Sequence, residues 1–386
     1  MRPRVGVLVV GGGVCGLWTL WSLRARGHDA WLVEGDGLGS GQTLASQGIL
    51  HAGVKYRLPG NTTDSSKSVA DVQPVWEAAL AGRSGPDLSS VRTVSAVTHL
   101  WSLPSLGARM AAEVATRVMR SGTARVDRGR SGDAFAIAPK GVAVFEASER
   151  VIEPLGIVAS LRGACGGRAR SGRCVGLEHG DDGFIARIAG ADDGVVEVEA
   201  SSVVCAAGIG NEALISELGG DAPSVCQRRP LHQVVGRGAP VVLNGHCLQA
   251  SDKPALTVTT GELDGERTWY LGGDLAETGV GLSSDEQCTR ARTAVERCLG
   301  WLDVSGVVWS SFEIDRAEGK TEDGKRPDGP VVREIVPGVV AVWPTKLVLA
   351  PVAAERVVEA IGMPRGGTGE DGLGALPEAR VGEVVW

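Results

Sequence analysis

The chain is short of the residues from which several kinds of site are built. It has six histidines in 386 residues, and its eight cysteines, at positions 15, 165, 174, 205, 226, 247, 288 and 298, form no C-x-x-C pair and stand at no zinc-ligand spacing from a histidine. Free thiols, no disulfide framework and no metal are therefore expected. Cys15, in a glycine-rich turn, and Cys205, in an apolar run, read as small hydrophobes. Basic clusters such as Arg24-Ala25-Arg26 and Arg228-Arg229 are brief and the formal net charge is −7, which excludes a basic face for nucleic acid. No apolar run approaches the length of a membrane span. The first apolar stretch runs into glycines and an acid rather than a cleavage site, so a cytoplasmic protein without a membrane partner is expected. Tyrosine occurs twice and phenylalanine four times, against ten tryptophans, of which Trp18, Trp21 and Trp76 fall at helical positions and read as core.

What the chain has in quantity is glycine, with 56 residues, in an otherwise ordinary globular composition of 43 % hydrophobic and 22 % charged residues. Its length suits two domains, or one large sheet with an inserted module. The most informative glycines are Gly11, Gly13 and Gly16, a G-x-G-x-x-G directly after the apolar run Val5–Val10 and before a helical pattern at Leu17, Leu20, Trp21 and Leu23. A second strand, Ala30–Val33, ends at Glu34, eighteen residues beyond the third glycine. That order predicts a βαβ unit holding a dinucleotide. The glycines give the tight turn, the close approach of backbone to a pyrophosphate and the packing of helix on strand, while the acid holds a ribose. The competing reading is a glycine-rich turn in an ordinary α/β domain, because so many glycines raise the frequency of chance matches.

Further along, Gly35 to Tyr56 is a small-residue loop, Val69–Leu80 reads as a helix, Ser95–Ser102 as strand and Leu106–Met119 as helix. Val142–Pro154 reads as a strand and its exit, Leu155–Ala169 as a helix with Glu153 at its start, and the stretches 174–178 and 184–188 as strands. The run Val195–Gly208 is an apolar strand ending in Ala206-Ala207-Gly208, where backbone can meet a cofactor a second time. Alternating segments at 231–235, 256–260 and 268–271 predict antiparallel strands with one covered face, and Ser284–Leu299 a helix. Asp315–Pro330 reads as a polar loop, Val339–Val342 as a last strand, Leu347–Ile361 as a last helix and the chain from Gly362 as a tail that is loose apart from Val381–Trp386. Asp274 and Glu277 read as an exposed turn.

These pieces resemble, in order and over nearly the whole chain, the D-amino-acid oxidase superfamily of FAD-dependent oxidoreductases. The resemblance rests on the N-terminal βαβ, the loop SQGILHAGVKY, the strand end VVCAAGIGNEAL and the segment PGVVAVWPTKLVLAP. Its octapeptide Ile49–Tyr56 is nearest to FAD-dependent glycerol-3-phosphate and L-2-hydroxyglutarate dehydrogenases. The resemblance implies an α/β fold, a Rossmann-like FAD-binding domain with a mixed sheet (1–80, 141–215, 311–362) plus an antiparallel-sheet substrate domain (81–140, 216–310) and a tail (363–386). It also implies that FAD lies along Gly11, Gly13, Val14, Gly16, Glu34, Gln42, Thr43, Ser46, Gln47, Gly48, Cys174, Ala207, Gly208, Lys346 and Leu347, with the last helix aimed at the flavin.

Flavin oxidation beside a hydroxyl needs a base for the hydroxyl proton as hydride leaves, and His51 and His232 are the two candidates. Lys55, Tyr56, His232, Arg316 and Lys346 are the candidate substrate contacts, with Arg316 also counted in the catalytic set, for a small anionic 2-hydroxy acid. At position 55 lysine stands where the glycerol-3-phosphate enzymes tend to carry arginine, which removes the bidentate fork suited to a phosphate. An amine or D-amino-acid oxidase, a flavoprotein subunit of a larger complex and an NAD-dependent dehydrogenase are the alternatives, and oxygen, a quinone or an electron-transfer protein could accept the electrons.

Overall fold

The computed structural model describes residues 2–51, 64–103, 123–126, 132–190, 194–249, 253–364 and 372–384. Its first sheet is centred on the strand Arg4–Val10, buried from Val5 onward. Ala30–Glu34 and Val195–Cys205 lie parallel to it on either side. Ala169–Ser171 extends the sheet beyond Ala30–Glu34, and the antiparallel strands Gly183–Ala189 and Arg173–Gly180 extend it beyond Val195–Cys205. Val339–Trp343, hairpinned with Val331–Val336, joins Val195–Cys205 as well.

A strand covered on both faces needs apolar side chains on both, which is why Val5–Val10 is a continuous hydrophobic run rather than an alternating one. Val7 and Val9 enter a core with the helices Val14–Ala25, Pro154–Ala164 and Ala350–Ile361, while Leu8 and Val10 enter a second core with Leu214, Ile215, Leu373 and Leu376. Trp18 and Trp76 meet in the first core with ring centroids 4.9 Å apart, as their helical spacing suggests. The Trp76 indole also donates to the carbonyl of Val348 at 2.8 Å, tying the helix Asp64–Leu80 to the turn before the last helix.

The second sheet runs in the order Val308–Gly319, Cys226–Arg237, Glu266–Gly272, Leu256–Leu263, Gly245–Leu248, Thr98–Ser102, Val144–Ala147 and Thr123–Arg125. All neighbours are antiparallel except Gly245–Leu248 beside Thr98–Ser102. The helix Ser284–Leu299, opened by a capping box between Ser283 and Glu286, covers one face through Ala291 and Val295 against Val234, Leu256, Val258 and Leu271. The side chains of alternate residues point the other way. Gln233, His246, Thr257, Thr259, Tyr270 and Phe312 therefore face the first domain, where Gln47 Nε2 donates to the Tyr270 carbonyl at 2.8 Å and the Tyr270 hydroxyl donates to the Ala45 carbonyl.

Several sequence expectations change. The helix predicted to reach Ala169 ends at Ala164, because Ala169–Ser171 is taken up as a strand beside Ala30–Glu34. Ser95–Ser102 is two strands, and Val142–Pro154 is divided between the second sheet and the strand Arg150–Ile152, which belongs to a small sheet with Ile49–Leu50 and Thr93–Ser95. Asp315–Gly319, expected in a polar loop, is strand, paired residue by residue with Cys226–Pro230. Sheet membership thus puts Val144–Ala147 and most of Val308–Gly319, expected within the FAD-binding ranges 141–215 and 311–362, in the second sheet. The predicted helix Leu106–Met119 lies outside the described residues.

The tail is packed rather than loose. Leu373, Leu376 and Ala379 are buried, Val381 bridges to Leu38, and Gly382 N–H donates to the Leu38 carbonyl at 2.8 Å. Short polar and glycine-rich sequence hid these apolar residues, of which Leu373 and Leu376 close the face carrying Trp31 and Leu8 while Ala379 packs into the other core. Leu373→Ala is expected to lower unfolding free energy by about 3 kcal/mol in urea titration, whereas a loose tail would leave the midpoint unchanged.

Candidate active site

The phosphate turn is built by close backbone contacts. Gly11 has φ +109°, and a Cβ there would sit 2.5 Å from the Ala206 carbonyl oxygen; a Cβ at Gly16 would sit 1.9 Å from the Gly11 oxygen. No side chain fits at either place. Val14 N–H, one of the unpaired donors at the helix start, reaches the Thr43 hydroxyl at 3.1 Å. The first helical turn carries no acid to compete with a bound anion. Gly13, the N-cap, has only the Thr43 hydroxyl close to where a side chain would project.

Glu34 ends the second strand with one carboxylate oxygen accepting from Gly12 N–H at 2.6 Å and the other from Asp36 N–H at 2.8 Å. Ser171 pairs with Glu34, which brings the start of the Arg173–Gly180 strand alongside. Cys174 in that strand donates its thiol to the Gly176 carbonyl, and burial pushes the thiol up to about 11. Ala207 N–H donates to Asn211 Oδ1 at 2.8 Å, and Gly208 follows beside the Gln42 amide. These predicted cofactor contacts gather around the two strand ends.

From there the loop leads toward the second sheet. The Ser46 hydroxyl oxygen and Gln233 Oε1 are buried without a hydrogen-bond partner among the described residues, polar atoms of the kind that a bound polar molecule satisfies. Gly48 accepts from Ile152 N–H at 3.0 Å. The turn Leu347–Leu349 packs on Ile49–Leu50, with Lys346 immediately before it and Thr345 held at φ +65°. What was expected as one helix from Leu347 is this turn followed by Ala350–Ile361. Lys55 and Tyr56 lie outside the described residues.

His51 follows directly and is 31 % exposed. Its Nδ1 stands 3.4 Å from Glu149 Oε1, while His246 Nε2 stands 3.5 Å from Glu149 Oε2. Thr98 donates its hydroxyl to Oε2 at 3.2 Å, and His246 Nδ1 lies 2.8 Å from the Thr257 hydroxyl. Glu149 and His246 are buried. Burial by itself would raise the Glu149 pKa, but the charge of His51 and the hydrogen bonds of both imidazoles hold it well below the usual carboxylate range. The sequence reading missed Glu149 and His246. A histidine in the apolar run Gly245–Leu248 was the available signal, and it pointed to a cluster that residue spacing alone does not show. The three ligand atoms lie within 4.8 Å of one another, close enough to share an ion.

His232 is placed elsewhere. It shares the helix-covered face with Val234, one residue out of step with Gln233, and is 4 % exposed. Its Nδ1 is 3.0 Å from the Gly279 carbonyl and its Nε2 2.9 Å from the Ser311 hydroxyl. The structure therefore does not bring the two candidate bases together.

Arg316 lies on the far strand of the second sheet, four strand spacings across from His246 and four residues beyond the position in register with it, so the two backbones are more than about 19 Å apart. Its Nε donates to the Arg229 carbonyl at 3.0 Å and its Nη2 is 3.5 Å from Glu277. Arg229 reaches Glu277 at 3.8 Å and the buried Glu318 at 3.3 Å, and Lys253 pairs with Glu277. Glu277 is thus a half-buried junction, not the exposed turn expected of it, because the turn folds against the ends of two strands. Three cations share two carboxylates here. Burial first, then the neighbouring Arg229, lowers the Arg316 pKa.

Residues 6–360 match the family of FAD dependent oxidoreductases. The chain is 38 % identical over 358 residues to the FAD-dependent oxidoreductase PA4991 of Pseudomonas aeruginosa, an alignment covering 91 % of this chain and 89 % of that protein. Superposed on the crystal structure of PA4991, it gives a TM-score of 0.82 at 32 % identity, covering 100 % of this chain and 98 % of the other. An L-α-glycerophosphate oxidase from Mycoplasma pneumoniae with FAD bound superposes at TM-score 0.70 and 16 % identity, covering 94 % and 96 %. A glycine oxidase from Geobacillus kaustophilus does so at 0.69 and 16 %, covering 95 % and 96 %. These last two share the fold. The Gly11–Gly16 turn, Glu34 at the end of the adjoining strand and the Ser46 hydroxyl, which has no partner among the described residues, fit a bound dinucleotide, and the chain belongs to the FAD-dependent oxidoreductase family.

Proposed function

We propose that the chain oxidises a small anionic 2-hydroxy acid on the face of the second sheet that carries Gln233, Tyr270 and Phe312. The observation that carries this reading is the histidine beside that face: His51, backed by the buried carboxylate of Glu149 and 6.0 Å from the His246 ring, follows the strand Ile49–Leu50 on which the turn after Lys346 packs. Bound FAD supplies the hydride acceptor at its N5.

In this reading Gly11, Gly13, Val14, Gly16 and Glu34 hold the adenosine and pyrophosphate. Gln42, Thr43, Ser46, Gln47 and Gly48 line the path toward the ring, with Cys174 on the adenine side, and Ala207 and Gly208 support it from the second strand end. Lys346 and Leu347 close the ring end. Lys346, with Lys55 and Tyr56, holds the substrate carboxylate, because Arg316, held by Glu277 and the Arg229 carbonyl at the far edge of the sheet, is too distant from His51 to share a small acid with it. His51 takes the hydroxyl proton. His232, with both ring nitrogens engaged on the opposite face, serves packing. The electron acceptor is oxygen, a quinone or an electron-transfer protein.

The test is anaerobic mixing of the flavin-loaded protein with a panel of lactate, 2-hydroxyglutarate, glycerol 3-phosphate, glycine, sarcosine and D-amino acids. Bleaching of the flavin band by a 2-hydroxy acid is expected, and bleaching by the amines alone would replace this reading with that of an amine oxidase. With the acid that bleaches, Lys346→Leu should raise the half-saturating concentration between tenfold and about 100-fold, the loss of one charged hydrogen bond. His51→Gln should instead lower the reduction rate constant at saturation by about 10²-fold or more. Equal effects of the two substitutions on both constants would contradict the separate roles.

A further inference from the structure

We infer that the side-chain amides of Gln233 and Gln47 frame a subsite that accepts hydrogen bonds from an N–H or O–H group of a bound small molecule. The inference rests on the placement of substrate and flavin against the face of the second sheet that carries Gln233, and it does not depend on which residue takes the proton. Gln233 is 6 % exposed, and its Oε1 has no hydrogen-bond partner among the described residues. One step beyond the paired Val234 and Leu271 it comes opposite Gly272, with Phe312 opposite it on the other side. Gly272 leaves its place on that face without a side chain. A Cβ there would sit 3.5 Å from Gln233 Oε1 and 2.6 Å from Gln47 Oε1, so the two amide oxygens converge on one spot.

The orientation of Gln47 is set by its Nε2, which donates to the Tyr270 carbonyl at 2.8 Å and leaves the oxygen turned toward Gly272. Two carbonyl oxygens cannot bond one another, so the donor must come from outside the pair. A buried amide oxygen without a partner destabilises the free protein, and a ligand N–H or O–H removes that cost on binding. Ser46, next in the chain to Gln47, has a buried hydroxyl oxygen in the same condition. Tyr270 and Phe312, with ring centroids 5.9 Å apart and planes 7° from parallel, give the subsite an apolar wall. An apolar wall with a few placed polar atoms is the usual make-up of a small-molecule site. Two sources can supply the donor, a hydroxyl or amino group of the substrate and the imide N–H of the flavin.

The test is titration of the flavin-loaded protein with 2-hydroxyisobutyrate, 2-aminoisobutyrate and isobutyrate, followed by the shift of the flavin band. The three share one skeleton, and the first two have no hydrogen on the substituted carbon to leave as hydride. In the wild type a probe with a donor should bind at least about tenfold tighter than isobutyrate. Gln233→Met, of similar length but without the acceptor, should bring that ratio within about threefold. Gln233→Glu, which keeps an acceptor and adds a charge, should turn the preference toward 2-aminoisobutyrate; a merely structural Gln233 would not move the order among probes of one skeleton. Where the flavin is the source, Gln233→Met should instead weaken flavin binding about tenfold, read from the absorbance that stays with the protein on ultrafiltration, with the probe ratio unchanged. An unchanged probe ratio together with unchanged flavin retention would overturn the inference. The 2-hydroxy acid reading stands or falls separately: dependence of 2-aminoisobutyrate alone on Gln233 would support the subsite and replace the hydroxy acid by an amine.

Discussion

The contact on which the rest of the structure depends is the one between the ends of two parallel strands and the first turn of a helix. Position 16 must lack a side chain because the Gly11 carbonyl occupies its space, and position 11 must lack one because Ala206 and Ala207 occupy its own. The two restrictions draw residues nearly two hundred positions apart into one floor. Register follows from that floor: Val10 lies opposite Cys205 and Val33, so the strands end together and the loops leaving them start from a common edge. Everything that a dinucleotide would touch at its phosphate end is fixed by this meeting.

The first sheet was legible because its residues are buried on both faces, and a run such as Val5–Val10 or Val203–Cys205 has one interpretation when glycine follows it. The segments that misled are those where tertiary pairing overrode local character. Asp315-Arg316-Ala317-Glu318-Gly319 has the composition of a loop, yet each residue has a partner on Cys226–Pro230, and its charges are absorbed by Arg228 and Arg229 rather than by water. The tail was misread for the opposite reason. Apolar residues scattered among glycine and acid carry no periodicity, but two of them, Leu373 and Leu376, are enough to cover an open patch beside Trp31.

The candidate site was half legible. Gly11 and Gly16 were readable because close backbone approach needs small residues at fixed places. The separation of His51 from His232 was not, because it depends on one step of pleat. Moving along the strand from His232 to Gln233 exchanges the helix-covered face for the one turned to the first domain. No composition or spacing argument contains that parity until the partner strands are known. Glu149 was hidden differently: it lies in a tight connection between two strands of different sheets, and only the folded chain sets it between two histidines that are 195 residues apart.

The same pleat explains how one sheet performs two tasks. On its helix side it is an apolar layer whose few polar atoms, among them the ring of His232, pair with the carbonyl and hydroxyl groups beside them. On the other side polar residues alternate into a surface that ends in cations at one edge and in a buried carboxylate at the other. Burial sharpens both ends. Desolvation weakens the preference of Arg316 for its charge, so an added carboxylate there would restore what Glu277 shares among three cations. At the other end the charge of Glu149 persists despite burial because imidazoles face both of its oxygens. The two edges therefore differ in sign as well as in place: beside Glu277 cations outnumber carboxylates, while at Glu149 a single carboxylate faces two imidazoles.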